Sequence, residues 1–174
     1  MFDVLIIGGG VSGMSCALVL GSAQNKAFAA DKKIGIFTHQ KASNLQDAVF
    51  NNAYGIPAGK LGSELLEESK EQLASLYPHV QQIENEKVMK IEGAYPNFTV
   101  VTNKGSYQTK IIVVAINATN TFAIEGLMEY VIPHKKAIAE KNRIQLKNED
   151  HFVADGIYVA GTLAGLRSQL SIAA

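Results

Sequence analysis

The chain of 174 residues has a single cysteine, no tryptophan and four prolines, and its formal net charge is zero. One thiol, Cys16, cannot form an internal disulfide or a Cys-x-x-Cys redox pair. A neutral chain lacks the positive field that nucleic-acid binding requires, so we expect no nucleic acid among its partners. The cations between residues 135 and 147 are interrupted by Glu140, which favours a solvated segment.

Long apolar runs and metal-binding patterns are also missing. No stretch is apolar enough to cross a bilayer, and no cationic leader indicates a signal peptide. We therefore expect no membrane partner and a cytoplasmic location. The four histidines show no metal spacing, so no metal site is predicted. Without a Ser-His-Asp set or a G-x-S-x-G elbow, the sequence does not identify catalytic residues.

What is present is a substantial apolar fraction in a regular order. Apolar residues make up 47% of the chain, enough for a core, and the length fits a single domain over residues 1–174. The unbroken apolar runs at 4–7 and 111–116 are typical of strands buried on both faces of a parallel sheet. A helix over 11–21 and a strand over 34–37 complete a βαβ unit.

The remaining segments predict further elements. Ser63 is expected to cap a helix over 64–77, and residues 39–60 to form a long loop with at most one short helix. Apolar and polar residues alternate over 80–110, which predicts a β-meander with a hairpin turn at Asn103-Lys104-Gly105. Other expected elements are a short helix at 135–141, a last strand at 156–161 and the start of a helix at 168–174.

These patterns predict an α/β, three-layer Rossmann-like fold. A central parallel sheet carries helices on both faces, and the small antiparallel β-meander over residues 80–110 forms the third layer. The two apolar runs at 4–7 and 111–116 are expected to form the centre of the sheet.

A glycine motif, Gly8-x-Gly10-x-x-Gly13, follows the first strand and opens the first helix. In this context the pattern predicts a dinucleotide site: Gly8 allows a tight turn, Gly10 lets a pyrophosphate approach, and Gly13 lets helix and strand pack closely. Val11 and Ser12 belong to the same turn, whose helix N-terminus favours phosphate. The alternative is a tight strand–helix turn that binds no ligand.

The segment from Asp3 to Leu18 resembles the N-terminus of thioredoxin reductase-like flavoproteins, which bind FAD. Four later segments are similar to other motifs of that family, in the same order: residues 51–57, 62–66, 86–88 and 161–169. The resemblance implies that the cofactor-binding residues beyond the glycine motif include Gln46, Asn52, Val88, Ala115, Asn117, Gly161 and Thr162.

The sequence departs from the family pattern at three places. The acid expected after the second strand, to hold the adenosine ribose, falls on Thr38 and His39. Either the nearby His39 or Lys41 meets a 2′-phosphate, as in NADP sites, or these positions form an exposed polar strand end. Ala115-Ile-Asn117 replaces an Ala-Thr-Gly motif, and Asn is the residue that most readily follows glycine into the left-handed conformation. Thr162 replaces an aspartate that bonds the ribityl chain.

The family's nicotinamide domain has no counterpart, since the segment from Asn117 to Asp155 has only 39 residues, and with a single cysteine its Cys-x-x-Cys is also missing. The resemblance therefore implies a small FAD-binding oxidoreductase of unknown substrate, reduced by external NADP(H) or by a redox partner protein, and a homodimer. Two alternatives stay open: a non-enzymatic or degenerate nucleotide-binding module, and a protein that binds NADP(H) directly.

Overall fold

The computed structural model describes residues 1–39 and 43–173. The helices of this part are α1 (Val11–Ser22), α2 (Gly62–Leu76) and α3 (Leu170–Ala173). The strands are β1 (Phe2–Ile7), β2 (Ile34–Phe37), β3 (Val49–Phe50), β4 (Lys60–Leu61), β5 (Val80–Ile83), β6 (Val88–Ala94), β7 (Asn97–Thr102), β8 (Ser106–Val114), β9 (Val131–Pro133), β10 (Ile144–Leu146), β11 (Phe152–Ala154) and β12 (Ile157–Val159).

The central sheet has the strand order β11-β12-β8-β1-β2-β5. β1 lies in the middle and pairs in parallel with β2 and β8, with Val4 opposite Ile34 and Ile111. Both faces of β1 are covered, and Leu5 and Ile6 are fully buried. The predicted α/β fold is confirmed, because unbroken apolar runs form strands that need cover on both sides.

Both longer helices, α1 and α2, pack on the same face of this sheet. Met14 of α1 and Leu73 of α2 share one buried cluster with Ile6 and Ile36. The expectation of helices on both faces is wrong. The opposite face is already covered by the apolar side of the β-meander, which leaves no room for a helix layer there.

The meander consists of β6, β7 and the first half of β8, paired antiparallel. Its predicted turn is confirmed, since the Thr102 N–H donates to the Gly105 carbonyl at 2.8 Å. Alternate residues point inward, so that Phe98 and Val100 are buried against Leu5 of the central sheet's cluster. The third layer therefore follows from the period-two pattern of its sequence.

Two strand boundaries differ from the sequence analysis. Residues 106–110 and 111–116 were expected as separate strands, but β8 runs unbroken over 106–114, with no glycine or proline to interrupt it. Its first half pairs with β7 and its second half with β1. Residues 80–83, expected in the meander, form β5, which pairs in parallel with β2 in the central sheet.

The start of α2 lies against the loop that precedes it. The helix begins at Gly62, so Ser63 is not its cap, and the Leu61 N–H donates to the Glu64 carboxylate at 3.4 Å. A Cβ at Gly62 would overlap the Leu45 carbonyl oxygen. Between Leu45 and this helix the chain forms the short antiparallel pair of β3 and β4, within the segment expected as a long loop with at most one short helix.

The segment between β8 and β12 is short and irregular. It contains the antiparallel pair of β9 and β10, and a 3-10 turn at Ala139–Lys141 in place of the helix expected at 135–141. Asn142 takes a left-handed conformation, with φ of 45°, and ends that turn. The last strand was expected over 156–161, but β12 is shorter. The final helix, expected to start at 168–174, corresponds to α3. Within the described ranges no helix has the length and apolarity needed to cross a membrane.

Candidate cofactor site

The glycine motif forms a tight turn between β1 and α1. Gly8 has a φ of 120°, and a Cβ there would overlap the Ala115 carbonyl oxygen. A Cβ at Gly13 would overlap the Gly8 carbonyl oxygen. Both glycines are therefore required by the packing of the turn itself, because a side chain at either position would displace backbone.

Gly10 differs from its two neighbours in the motif. Its backbone is extended, with φ of −79° and ψ of −171°, so no positive φ requires a glycine at this position. A Cβ at Gly10 would meet only the Ser43 hydroxyl oxygen, at 3.6 Å. The protein itself would accept a side chain at this position, which leaves the space beside Gly10 for a ligand.

Two cavities lie on either side of the turn. The first, of about 260 Å³, is here called the helix-side cavity, and its walls include Gly10, Val11, Ser12, Phe50, Ala115, Arg143, Thr162 and Ser168. The second, of about 440 Å³, is the meander-side cavity, with Gly8, Phe37, His39, Glu86, Lys87, Val88 and Phe122. Asn44, Ile116 and Asn117 line both, so the cavities form one elongated cleft past the glycine turn.

The structure brings most of the predicted cofactor residues to this cleft. The predicted residues that line it are Gly8, Gly10, Val11, Ser12, His39, Val88, Ala115, Asn117 and Thr162. Gly13 and Gly161 lie behind the cleft walls and determine the path of the backbone there. Gly161 has a φ of 69°. Asn117 has no positive φ, so this asparagine does not replace glycine for conformational reasons.

Two predicted residues do not reach the cleft walls. Gln46 and Asn52 are both exposed, and neither is among the residues that line the two cavities. The neighbouring Asn51 accepts the Gly59 N–H at 3.0 Å, and Phe50 occupies the wall instead. The local sequence similarity could not show this, because the antiparallel pair of β3 and β4 sets the direction of the loop.

Thr38, at the position of the family's acid, is buried at the end of β2. Its N–H donates to the Ile83 carbonyl at 3.0 Å, while its hydroxyl has no hydrogen-bond partner among the residues described. Thr38 therefore belongs to the packed sheet end rather than to an exposed strand end. His39, one residue on, lines the meander-side cavity, and Lys41 lies outside the described residues.

Glu86 brings a carboxylate to the same cavity, a residue that sequence reasoning did not assign. Its two oxygens accept hydrogen bonds from the Thr102 hydroxyl at 2.6 Å and the Tyr107 hydroxyl at 2.8 Å. These bonds, the one from Thr102 foremost, hold the pKa of the Glu86 carboxyl below its ordinary value. The only sequence signal for a role of Glu86 at the cofactor site is its position two residues before Val88.

Thr162 is held in place by a histidine from the irregular segment. His134 Nδ1 accepts the Lys136 N–H at 3.1 Å, so its Nε2 carries the proton and donates to the Thr162 carbonyl at 3.0 Å. Arg143, which the sequence analysis assigned to a solvated segment, is half-buried beside Thr162 and lines the helix-side cavity.

The described residues contain no group of three or more His, Cys, Asp or Glu side chains that could hold a metal ion. Cys16 lies in α1 and packs against the cluster under the sheet. Burial raises the pKa of this thiol to about 11. A thiol with such a pKa is a poor nucleophile, so Cys16 serves as a small side chain in the packing of α1.

Comparison with known proteins gives a family and several solved structures. The family described as pyridine nucleotide-disulphide oxidoreductase matches residues 2–166. A thioredoxin reductase from Gloeobacter violaceus is 26% identical with a TM-score of 0.59, over 70% of this chain and 38% of that one. The Lactococcus lactis thioredoxin reductase is 25% identical with a TM-score of 0.57, over 75% and 40%. No curated protein matches the sequence.

A ferredoxin-flavin thioredoxin reductase from Clostridium acetobutylicum shows similarity of fold, with 17% identity and a TM-score of 0.63 over 99% of this chain and 92% of that one. The chain spans only 38% to 40% of the two thioredoxin reductases named first. The family match nevertheless extends over nearly the whole chain and includes the glycine turn and both walls of the cleft. The chain belongs to the pyridine nucleotide-disulphide oxidoreductase family.

Proposed function

We propose that residues 1–174 form a single FAD-binding domain and that the protein is a small flavoprotein oxidoreductase. The observation that carries this proposal is the position of the glycine turn between two joined cavities. A dinucleotide has two bulky ends joined by a pyrophosphate, and this cleft has two chambers joined at a turn without side chains. The shape of the ligand and the shape of the cleft therefore correspond.

The pyrophosphate is expected at Gly10, where α1 begins. The N-terminus of a helix carries partial positive charge on its first N–H groups, which favours phosphate oxygens. Val11 and Ser12 of this first turn line the helix-side cavity. Because a Cβ at Gly10 would meet no backbone, the absence of a side chain there serves ligand approach and not the packing of the turn.

The adenosine end fits the larger, meander-side cavity. Phe37, Val88 and Phe122 give it apolar walls against which an adenine ring can pack. Glu86 supplies the carboxylate that position 38 lacks, and an ionised carboxylate accepts hydrogen bonds from ribose hydroxyls. We therefore assign the ribose-binding role to Glu86 rather than to Thr38.

The flavin end fits the helix-side cavity, where Asn117 and Thr162 offer neutral polar groups and Arg143 a positive charge. When bound, the flavin would supply the redox chemistry, and the protein would bind and orient it. Arg143 beside the cavity would stabilise negative charge that develops on the cofactor. His134 fixes the Thr162 backbone and thereby the shape of this wall.

The electron donor and the substrate lie outside this chain. We propose that electrons come from external NADP(H) or from a redox partner protein. The protein would be cytoplasmic, as the sequence analysis predicts, and a homodimer, as the family resemblance implies. The Clostridium acetobutylicum protein of similar fold is named a ferredoxin-flavin thioredoxin reductase, which makes a protein electron donor the first to test.

Direct NADP(H) binding is the second candidate, and one observation favours it. His39 and Lys87 line the meander-side cavity, where a 2′-phosphate would lie beside the ribose. Glu86 opposes this candidate, since its ionised carboxylate in the same cavity repels a phosphate. The balance of charge in this cavity therefore decides between the two nucleotides.

The absorption spectrum of the purified protein, before and after addition of FAD, tests the proposal. We expect the visible bands of a flavin in a protein that retains FAD on gel filtration, and no comparable retention of NADPH or of FMN, which lacks the adenosine. A colourless protein that retains NADPH but not FAD would establish the second candidate. Retention of neither would indicate the degenerate module.

A further inference from the structure

A third cavity, of about 360 Å³, lies between the turn that follows β9 and the segment that follows β12. Here it is called the basic cavity. Four cations line it, Lys136, Lys141, Arg143 and Arg167, and none of its lining residues is an acid. Like charges gathered in a concave space repel one another unless an anion neutralises them, so this arrangement needs an explanation.

The walls of the basic cavity are fixed by partly buried hydrogen bonds. The His134 ring bonds the Thr162 carbonyl at 3.0 Å, which ties the first wall to the second. Gln145, a buried side chain at 2% exposure, accepts the Lys135 N–H at 2.8 Å, and a Cβ at Gly165 would overlap its amide oxygen closely. Lys136, Lys141 and Arg143 therefore lie on a loop whose two ends are joined, and Arg167 lies on the segment of the second wall.

The charge of the site is positive and comes from its lysines and arginines. Ser168 and Gln169 add neutral polar side chains to the wall. Arginine and lysine together with such donors recognise phosphate groups, and the planar guanidinium does so through paired hydrogen bonds.

We propose that the basic cavity is a second ligand site that binds a small molecule bearing phosphate groups. A concave space of this volume is typical of a small-molecule site, whereas a protein partner would require a broader, flatter surface. Arg143, Thr162 and Ser168 also line the helix-side cavity. The bound phosphate therefore lies next to the flavin end of the cleft, and only this last statement rests on the proposed function.

Titration calorimetry with inorganic pyrophosphate tests the proposal. The background is the Gly10→Val variant, in which the glycine turn is blocked, so that binding there cannot mimic binding in the basic cavity. We expect saturable binding, and a loss of affinity of roughly tenfold or more in a Lys141→Gln, Arg167→Gln double variant. Lys135→Gln, Lys147→Gln, which removes the same charge from two exposed residues outside the cavity, should bind as the parent does.

Several results would overturn the proposal. These are the absence of saturable pyrophosphate binding, an equal loss in both double variants, or binding that requires Gly10. Binding of poly-glutamate without binding of pyrophosphate would assign the surface to an acidic protein instead. To identify the source of the phosphate, AMP is compared with glycerol 3-phosphate in the same background, since only a nucleotide site prefers AMP. A colourless protein that binds pyrophosphate here would contradict the proposed function but not this site.

Discussion

Two parts of the cleft are built in different ways. At the glycine turn, in the middle of the cleft, backbone packs directly on backbone, as where a Cβ at Gly13 would overlap the Gly8 carbonyl oxygen. In the helix-side cavity, the proposed flavin end, side chains from three separated segments meet: Asn117 after β8, Arg143 before β10, and Thr162 after β12. The first part is a local structure, and the second depends on how distant parts of the chain are packed.

This difference explains why the motifs are preserved unequally. Within the glycine turn, any side chain at Gly8 or Gly13 would break the fold, so its residue types are fixed by sterics. At the flavin end, a polar group can be replaced by another without loss of the fold, and Thr162 stands where the family has an aspartate. Substitutions of Gly8 or Gly13 should therefore change folding, and those at the flavin end should change affinity.

The largest effect is expected for Gly13→Val. The new side chain overlaps the Gly8 backbone, so we expect the free energy of unfolding to fall by at least about 4 kcal/mol, enough to unfold many domains. Circular dichroism during urea denaturation measures the change. Gly105→Ala, in a hairpin turn where a Cβ meets nothing, is the matched control. A Gly13→Val protein as stable as this control would contradict the local account of the turn.

A smaller effect, on affinity alone, is expected for Thr162→Asp. The carboxylate restores the acid that the family resemblance implies, close to Arg143. It should strengthen FAD binding roughly fivefold, since hydrogen bonds to charged groups exceed neutral ones by about 1 kcal/mol. Equilibrium titration of FAD fluorescence measures the affinity. Thr162→Asn, similar in size but uncharged, should bind as the parent does, and equal affinities for the Asp and Asn variants would refute the assignment.

At the adenosine end, Glu86→Gln should weaken FAD binding and change the pH dependence of stability. The folded protein lowers the pKa of Glu86, so its stabilising effect is present above the ordinary glutamate pKa of about 4.3 and is lost as pH falls through the folded value. We expect the free energy of unfolding of the parent to exceed that of the variant by about 1 kcal/mol at neutral pH and to equal it in strong acid. A difference that is constant over this range would show that the charge is not involved.

The smallest effect on FAD binding is expected at Cys16, in α1. With a pKa of about 11, this thiol is almost entirely protonated at mildly alkaline pH. Its alkylation by iodoacetamide should be slower by roughly a hundredfold in the native than in the unfolded protein. Cys16→Ala should leave FAD affinity unchanged. Rapid alkylation of the native protein would indicate that the α1 end of the molecule opens more readily than its packing implies.

The sequence predicted the parts of the fold that depend on local pattern. The apolar runs of β1 and β8, the Asn103–Gly105 turn and the glycine turn follow from residue spacing alone. The one-sided placement of α1 and α2 did not, because periodicity identifies a helix but does not say which face of the sheet it covers. Likewise, nothing in the spacing of residues 80–83 distinguishes a meander strand from an edge strand of the parallel sheet.

The candidate site was predictable to the same extent. Gly8, Gly10 and Val88 follow from the motif and the family order, whereas Glu86 and Arg143 reach the cleft through tertiary packing. Arg143 looked like part of a solvated basic segment, and only the pairing of β9 with β10 brings it beside Thr162. Asn52 shows the converse, since its motif resembles that of the family but its loop directs the side chain to solvent.

Titration of FAD into the parent protein and into Gly10→Val is the most direct test of the central claim. Gly10 lines the cleft, and its backbone tolerates a side chain, so the variant should keep the circular dichroism spectrum and the unfolding midpoint of the parent. We predict stoichiometric FAD binding by the parent and no measurable binding by this folded variant. Equal FAD affinity in the two proteins would contradict the pyrophosphate site at the glycine turn, and with it the proposed flavoprotein function.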